Sequence, residues 1–540
     1  MRRKVSTMYA WRLMAVVVLV VPLLAGCGAT PAPTVVPTTP PMVPTATAEP
    51  AGPKDGGVLR VAWNVNPADL TPGKNAQWAP VLFFEHIYDT LLRLDENGDF
   101  QPALALSYEV LPDYKTVIFK LRQGVQFHHG REFDAEDVKF TFERLVDPDF
   151  GSPWANLFEP IDKVEATDKY TVKFTLKSPF APFLTYCATN WFTAIVPRDF
   201  APTHNLNQEA SGTGPFMLKE YVQDNNVTLV KNPNYWEKGM PHLDGIEFKI
   251  MPDVQTQIAA LRTGELDLIT VEDPKLLSTI QNLPGIAMMP SLDPVNEGAI
   301  GVNCAEGPTA DVRVRRALSM GMDRQALIDT VLFGYGMVGT KISCGKKPYG
   351  YCGDGSDLPY YPYDPEGAKR LLAEAGYANG LELTIKVCSN IPITVQTAEL
   401  LQDQWKKIGV NLKIEQMADF NLLLDDFIKV NHQLAMIWTV WQPDPDSDVY
   451  QIYYSTSTIN LGKFKDTKLD ALMDQARAEM NVDKRIKLYR DVETLVADQV
   501  YILYPWTKPV NWQFAQEYVK DYTVMPSGGF QYFREVWLDK

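Results

Sequence analysis

Histidine and cysteine are scarce in this chain, with six of each in 540 residues. The histidines are scattered and no cysteine pair has C-x-x-C spacing, so no ligand set for zinc or nickel is legible. The sequence also lacks G-x-S-x-G, H-E-x-x-H and a phosphate loop ending in Gly-Lys-Ser/Thr. Positive charge is short: 51 Lys and Arg face 66 Asp and Glu, for a net −15. Such a surface argues against nucleic acid as a partner. Beyond residue 25 no apolar run reaches the length of roughly 20 residues that spans a bilayer. No metal and no cofactor is expected.

What is present begins at the N-terminus. Arg2, Arg3, Lys4 and Arg12 precede an apolar run from Leu13 to Ala25, too short to span but suited to a signal-peptide core. Leu24-Ala25-Gly26-Cys27 resembles the bacterial lipobox, in which the Cys thiol is diacylated before cleavage. Residues 1–26 are therefore expected to be removed and Cys27 lipidated, which takes away four positive charges and leaves −19. Residues 27–53 are rich in Ala, Thr, Val and Pro. The prolines allow neither helix nor central strand, so this stretch reads as an extended tether. An exported protein meets an oxidising environment, and Cys344 and Cys352 close a short Gly- and Pro-containing loop as the best disulfide candidate. Cys304 and Cys388 either pair or remain buried thiols, and Cys187 is left over.

From Lys54 onward the pattern is α/β. Gly57–Trp63 reads as a first strand that empties into a polar loop with Asn64 and Asn66. A helix is expected around Trp78 to Leu92. Val117, Phe119 and Leu121 alternate with Ile118, Lys120 and Arg122. Gly124 lets the chain turn, and Val125 and Phe127 suggest a second short strand, together a β-hairpin. At Asp134 the period changes. Asp134 can cap a helix whose face is Val138, Phe142 and Leu145, with Phe133 stapled onto Val138. In the second half, Asp364 and Pro365 open a helix that Gly376 stops. The alternating runs Leu381–Val387 and Val410–Ile414, separated by a helix, predict adjacent parallel strands.

Gln101–Leu145, the run from Gly212-Thr-Gly-Pro-Phe216 to Trp236, Asp311–Ile328, Tyr363–Tyr377 and Leu400–Glu415 each resemble segments of the family 5 extracellular solute-binding proteins of ABC importers, in the same order. The resemblance covers essentially residues 55–540. It implies a bilobal, periplasmic-binding-protein-like (type II) α/β fold with a two-strand hinge. Lobe I would comprise 54–302 plus 506–540 and lobe II 303–505, with crossings near Gly301–Asn303 and Tyr504–Thr507. The implied protein is no enzyme. It is a monomeric, lipid-anchored receptor on the extracytoplasmic face that closes on a solute and delivers it to membrane permease subunits.

Peptide receptors of the family resemble W-x-x-D followed by D-P-D, with the first Asp pairing the peptide ammonium. Here the segment reads Trp438-Thr439-Val440-Trp441-Gln442-Pro443-Asp444-Pro445-Asp446, so Trp441 stands at the anchor position. A Trp face suits sugar rings. The expected ligand-binding residues are therefore Trp63, Trp78, Trp438 and Trp441 as platforms, with Thr439, and Asn64 and Asn303 as hydroxyl-bonding amides. Core packing is the competing reading for any one of these tryptophans. An oligosaccharide or other neutral ring-bearing solute is the favoured expectation and an oligopeptide or dipeptide the alternative. A sensor docking on a chemoreceptor and, from another class, a secreted glycoside hydrolase with paired carboxylates are further alternatives. Asp444, Asp446 and Asp448 have calcium-loop spacing but lack the Gly and Glu such a loop needs, which leaves a turn and helix cap. His128-His129 reads as a solvated turn.

Overall fold

Parallel strands buried on both faces form the centre of each half of the molecule, as covering helices require. In the first, Val58–Trp63 turns Leu59, Val61 and Trp63 into the larger apolar core and Ala62 into a smaller one on the other face. The structure is a computed structural model that describes residues 52–64, 66–67, 70–74, 81–95, 98–289, 296–338, 356–389, 391–418, 420–440, 444–457, 460, 462–508, 512–522 and 532–540. Cys27, Trp78, Cys344, Cys352 and Trp441, named above, lie outside these residues.

Among the described residues, seven strands make the first large sheet, in the order Ile286–Met288, Trp512–Gln516, Leu268–Val271, Val58–Trp63, Gly245–Ile250, Asn226–Lys231, Phe216–Val222. Five make the second: Val410–Met417, Leu381–Cys388, Leu434–Val440, Asn296–Val302, Ile502–Lys508. The last strand of the seven-stranded sheet to precede Asn296 is Ile286–Met288, and the C-terminal strand Trp512–Gln516 returns to that sheet. Asn296–Val302 and Ile502–Lys508 both belong wholly to the five-stranded sheet, paired antiparallel with each other. The positions expected to cross, 301–303 and 504–507, thus fall in or just after these strands. The chain changes sheets between Met288 and Asn296 and again between Lys508 and Trp512.

Local predictions with a complete physical signal hold. Asp134 caps Ala135–Val146 in a capping box with Asp137, and Val138, Phe142 and Leu145 are buried. Asp364 caps Pro365–Glu374, and Leu381–Cys388 pairs parallel with Val410–Met417 from Leu381↔Val410 onward. The hairpin across Gly124 does not form. Thr116–Leu121 pairs instead with Ala105–Val110 and Thr171–Leu176 in a separate four-stranded sheet. Val125 and Phe127 are buried, but only an isolated bridge, Gln126↔Glu132, follows the turn. Alternation reports which face is apolar, not which strand will pair with it. The helix expected around Trp78 is described as Val81–Ile87. Gly212 shows why Gly-Thr-Gly is needed there: a Cβ on it would sit 2.0 Å from the Ile87 carbonyl oxygen.

Cys187, Cys304 and Cys388 form no disulfide among the described residues, so Cys304 and Cys388 do not pair. Among the described residues no helix is long and apolar enough to cross a membrane, and no group of three or more His, Cys, Asp or Glu could hold a metal ion.

Candidate functional site

The two chain crossings bring one end of each large sheet together. On the seven-stranded side, Val58–Trp63 is followed by Asn64, and its parallel neighbour Leu268–Val271 is followed by Glu272. The antiparallel strand Trp512–Gln516 starts at the same end, with Trp512 opposite Val271. On the five-stranded side, Leu434–Val440 finishes with Trp438, Thr439 and Val440. Asn296 pairs with both Val440 and Lys508. Carboxyl ends of parallel strands are where open α/β sheets place ligands, because the loops there are free to vary.

Polar and aromatic groups line this junction. Asn64 Nδ2 donates to Glu272 Oε1 at 3.3 Å. The Lys508 ammonium lies 5.1 Å from the Trp512 ring centroid. Burial pushes Lys508 down to about 8, while the charges of Glu272 and Asp273 pull the other way. The segment after helix Arg324–Val331 also joins the two sides. Met337 exchanges backbone hydrogen bonds with Thr507 at 2.8 and 2.9 Å. Tyr335 meets Trp512 edge-on, and its hydroxyl donates to Gln281 at 3.3 Å.

The residues expected to touch ligand divide. Asn64 is exposed at the junction, and the backbone of Trp438 and Thr439 reaches it along Leu434–Val440, opposite Gly298 and Glu297. Gly298 is required there, since a Cβ would meet the Trp506 ring at 2.7 Å. Trp63 reaches the junction by its backbone, but its side chain is only 2 % exposed and packs in the core. Asn303 is corrected outright. It follows Val302, which pairs with Leu434 at the opposite end of the five-stranded sheet. Its carboxamide closes a turn there, accepting from Ala305 and Glu306 N–H and donating to the His432 carbonyl.

Asp444 and Asp446 have roles that spacing did not reveal. Asp444 does cap Pro445–Tyr453, accepting from Asp446 N–H at 2.9 Å. It also holds Arg485 through two bonds of 2.7 Å, with both side chains 1 % exposed. Asp446 accepts from Arg477 Nε at 3.0–3.1 Å and from the Tyr186 hydroxyl at 2.7 Å. Tyr186 lies 260 residues earlier, in the short helix Phe183–Tyr186. Burial works against the charged form of Asp446 and drives the Tyr186 phenol well above its ordinary value. Against its own burial, Arg477 is held above the usual arginine value by Asp446. The two arginines sit on separate helices, Thr467–Ala478 and Val482–Gln499, so no sequence period announces them.

Comparison with known proteins agrees with this architecture. Residues 99–461 match the model described as bacterial extracellular solute-binding proteins, family 5 Middle. Heme-binding protein A of Haemophilus influenzae is 31 % identical over 82 % of this chain and 85 % of its own length. Di/tripeptide-binding protein 1 of Pseudomonas aeruginosa is 30 % identical over 88 % and 92 %. Among solved structures, the ABC transporter-associated periplasmic binding protein DppA of Helicobacter pylori, in complex with the peptide STSA, has a TM-score of 0.79 at 25 % identity, covering 90 % of this chain and 99 % of that one. The fold is the bilobal type II periplasmic-binding-protein arrangement, with one large sheet in each lobe.

Proposed function

The chain belongs to the family 5 bacterial extracellular solute-binding proteins, and from that membership we propose that it captures a short peptide between its lobes and delivers it to an ABC importer. A member of this family is a binding protein, not an enzyme. The observation that carries the peptide reading is the likeness, over most of both chains, to relatives named for di- and tripeptides. The junction is chemically suited to such a solute. Glu272 supplies a carboxylate for an ammonium and Lys508 an ammonium for a carboxylate, beside Asn64 and the backbone of Trp438 and Thr439. A zwitterion meets opposite charges there even though Trp441 replaces the anchoring acid. The oligosaccharide expectation has less behind it, because Trp63 is taken up by core packing.

Lobe I in this reading runs to Met288 and resumes at Trp512, and lobe II runs from Asn296 to Lys508. Cys27 carries the lipid at the head of the tether 27–53, and the receptor works as a monomer at the extracytoplasmic face. Unfolding, washing and refolding the purified chain removes carried-over solute. Thermal shift is then read against di- and tripeptides, cello-oligomers and hemin. At 100 times its dissociation constant, a true ligand stabilises by roughly 2.7 kcal/mol. Shifts with peptides are expected. Shifts with cello-oligomers alone would sink the peptide reading.

A further inference from the structure

The two halves of the molecule meet at a second place, on elements other than the crossing strands. Phe180, Phe183 and Tyr186 belong to the apolar core of the seven-stranded half. Val449, Met473 and Ala476, with Tyr450 packed against them, belong to a separate core beside the five-stranded sheet. What joins these two cores is a small polar cluster. The Tyr186 hydroxyl donates to Asp446 at 2.7 Å, and the same carboxylate accepts from Arg477. The Arg477 guanidinium lies 4.9 Å from the Phe180 centroid and 3.7 Å from that of Tyr450. The Ala181 N–H donates to the Arg477 carbonyl at 2.8 Å.

We infer that Tyr186, Asp446 and Arg477 form a closing contact between the lobes that sets solute affinity without touching solute. The inference rests on the reading that the lobes close on their ligand. Two features distinguish this contact from a permanent weld. It joins two cores by polar groups, as interfaces that must separate do. It is also incompletely satisfied: among the described residues, Arg477 Nη2 is buried with no hydrogen-bond partner. Parting the lobes returns water to that donor, to the Asp446 carboxylate and to the Tyr186 hydroxyl, which offsets the lost contacts. A contact so balanced shifts the open–closed population, and apparent affinity falls in proportion to the closed fraction lost.

Tyr186→Phe and Asp446→Asn, each near-isosteric, test this by three readouts. Solute affinity is measured on the peptide that stabilises the parent chain. Hydrogen exchange is followed at the Ala181 amide, and thermal stability is recorded without solute. Expected for both variants are a roughly tenfold weaker affinity expressed mainly as faster dissociation, faster exchange at Ala181, and an apo melting temperature close to the parent's. Parental affinity and parental Ala181 exchange in both variants would overturn the inference. So would an apo melting temperature that falls as far as removal of Arg485 makes it fall, since the contact would then be part of the fold itself. If no peptide binds the parent chain, the functional reading fails separately. Ala181 exchange then decides alone: faster exchange in the variants sustains the closing contact, and unchanged exchange overturns it.

Discussion

Asp444 and Asp446 stand two residues apart in one turn, each buried and each paired with an arginine, yet they belong to different kinds of structure. Asp444 and Arg485 pair inside one lobe, with parallel bonds of 2.7 Å, and Arg485 also donates to the Ala476 carbonyl. Both side chains are 1 % exposed, and these bonds stay within lobe II. Asp446 and Arg477 pair under Tyr186 from the other core, and separation of the lobes rehydrates them. The same chemistry therefore reports global stability at one residue and conformational equilibrium at the other. Burial alone does not say which. What matters is whether a motion smaller than unfolding can restore water.

The sharpest way to break that comparison is Arg485→Ala. It strands the Asp444 carboxylate in the core, and stability is expected to fall by about 3–5 kcal/mol, measured by urea denaturation of the apo protein. A loss under about 1 kcal/mol would mean that water reaches Asp444 after all.

Acid provides a second, smaller test within lobe II. Burial lowers His432 to about 4 in the folded state, against an unfolded value near 6.5. The unfolded chain then binds more protons between those values. The stability present above about pH 6.5 is lost as pH falls towards 4, by at most about 3 kcal/mol for this group. His128 in lobe I is lowered to about 4 by the same cause and acts in the same direction. His432→Phe, which keeps the stacking on Phe427 at 4.7 Å, is expected to flatten the acid limb of a melting-temperature profile. An unchanged limb would remove His432 from the account.

The smallest expected change in apo stability is that of Tyr186→Phe, under about 1 kcal/mol for one hydroxyl whose loss the lobes can relieve by parting. Matching urea curves for this variant and the parent, beside a large loss for Arg485→Ala, would establish the contrast. Matching losses would erase it.

Legibility in the sequence followed range. The Asp134 capping box, the face Val138–Phe142–Leu145 and the Asp364–Pro365 helix start are each complete within about a dozen residues, and each was readable. The parallel pairing of Leu381 with Val410 was readable because a helix between two strands leaves little other choice. The partner of Thr116–Leu121 was not, since alternation is the same whether the neighbouring strand comes before or after. Asn303 resembled a ligand-facing amide in type and failed by position, a matter of strand direction that no residue announces.

By itself the sequence determined the family, the α/β alternation and the helix caps. Those depend on residues near one another along the chain or on ordered motifs. Only the tertiary structure decided that Asn303 faces away from the junction, that Glu272 and Lys508 flank it, and that of two acids in one turn one staples a lobe while the other meets Tyr186 from 260 residues away. The physical reason is that a buried charge takes its meaning from its partner and from the water it has lost, and both are set by chain segments that meet only on folding.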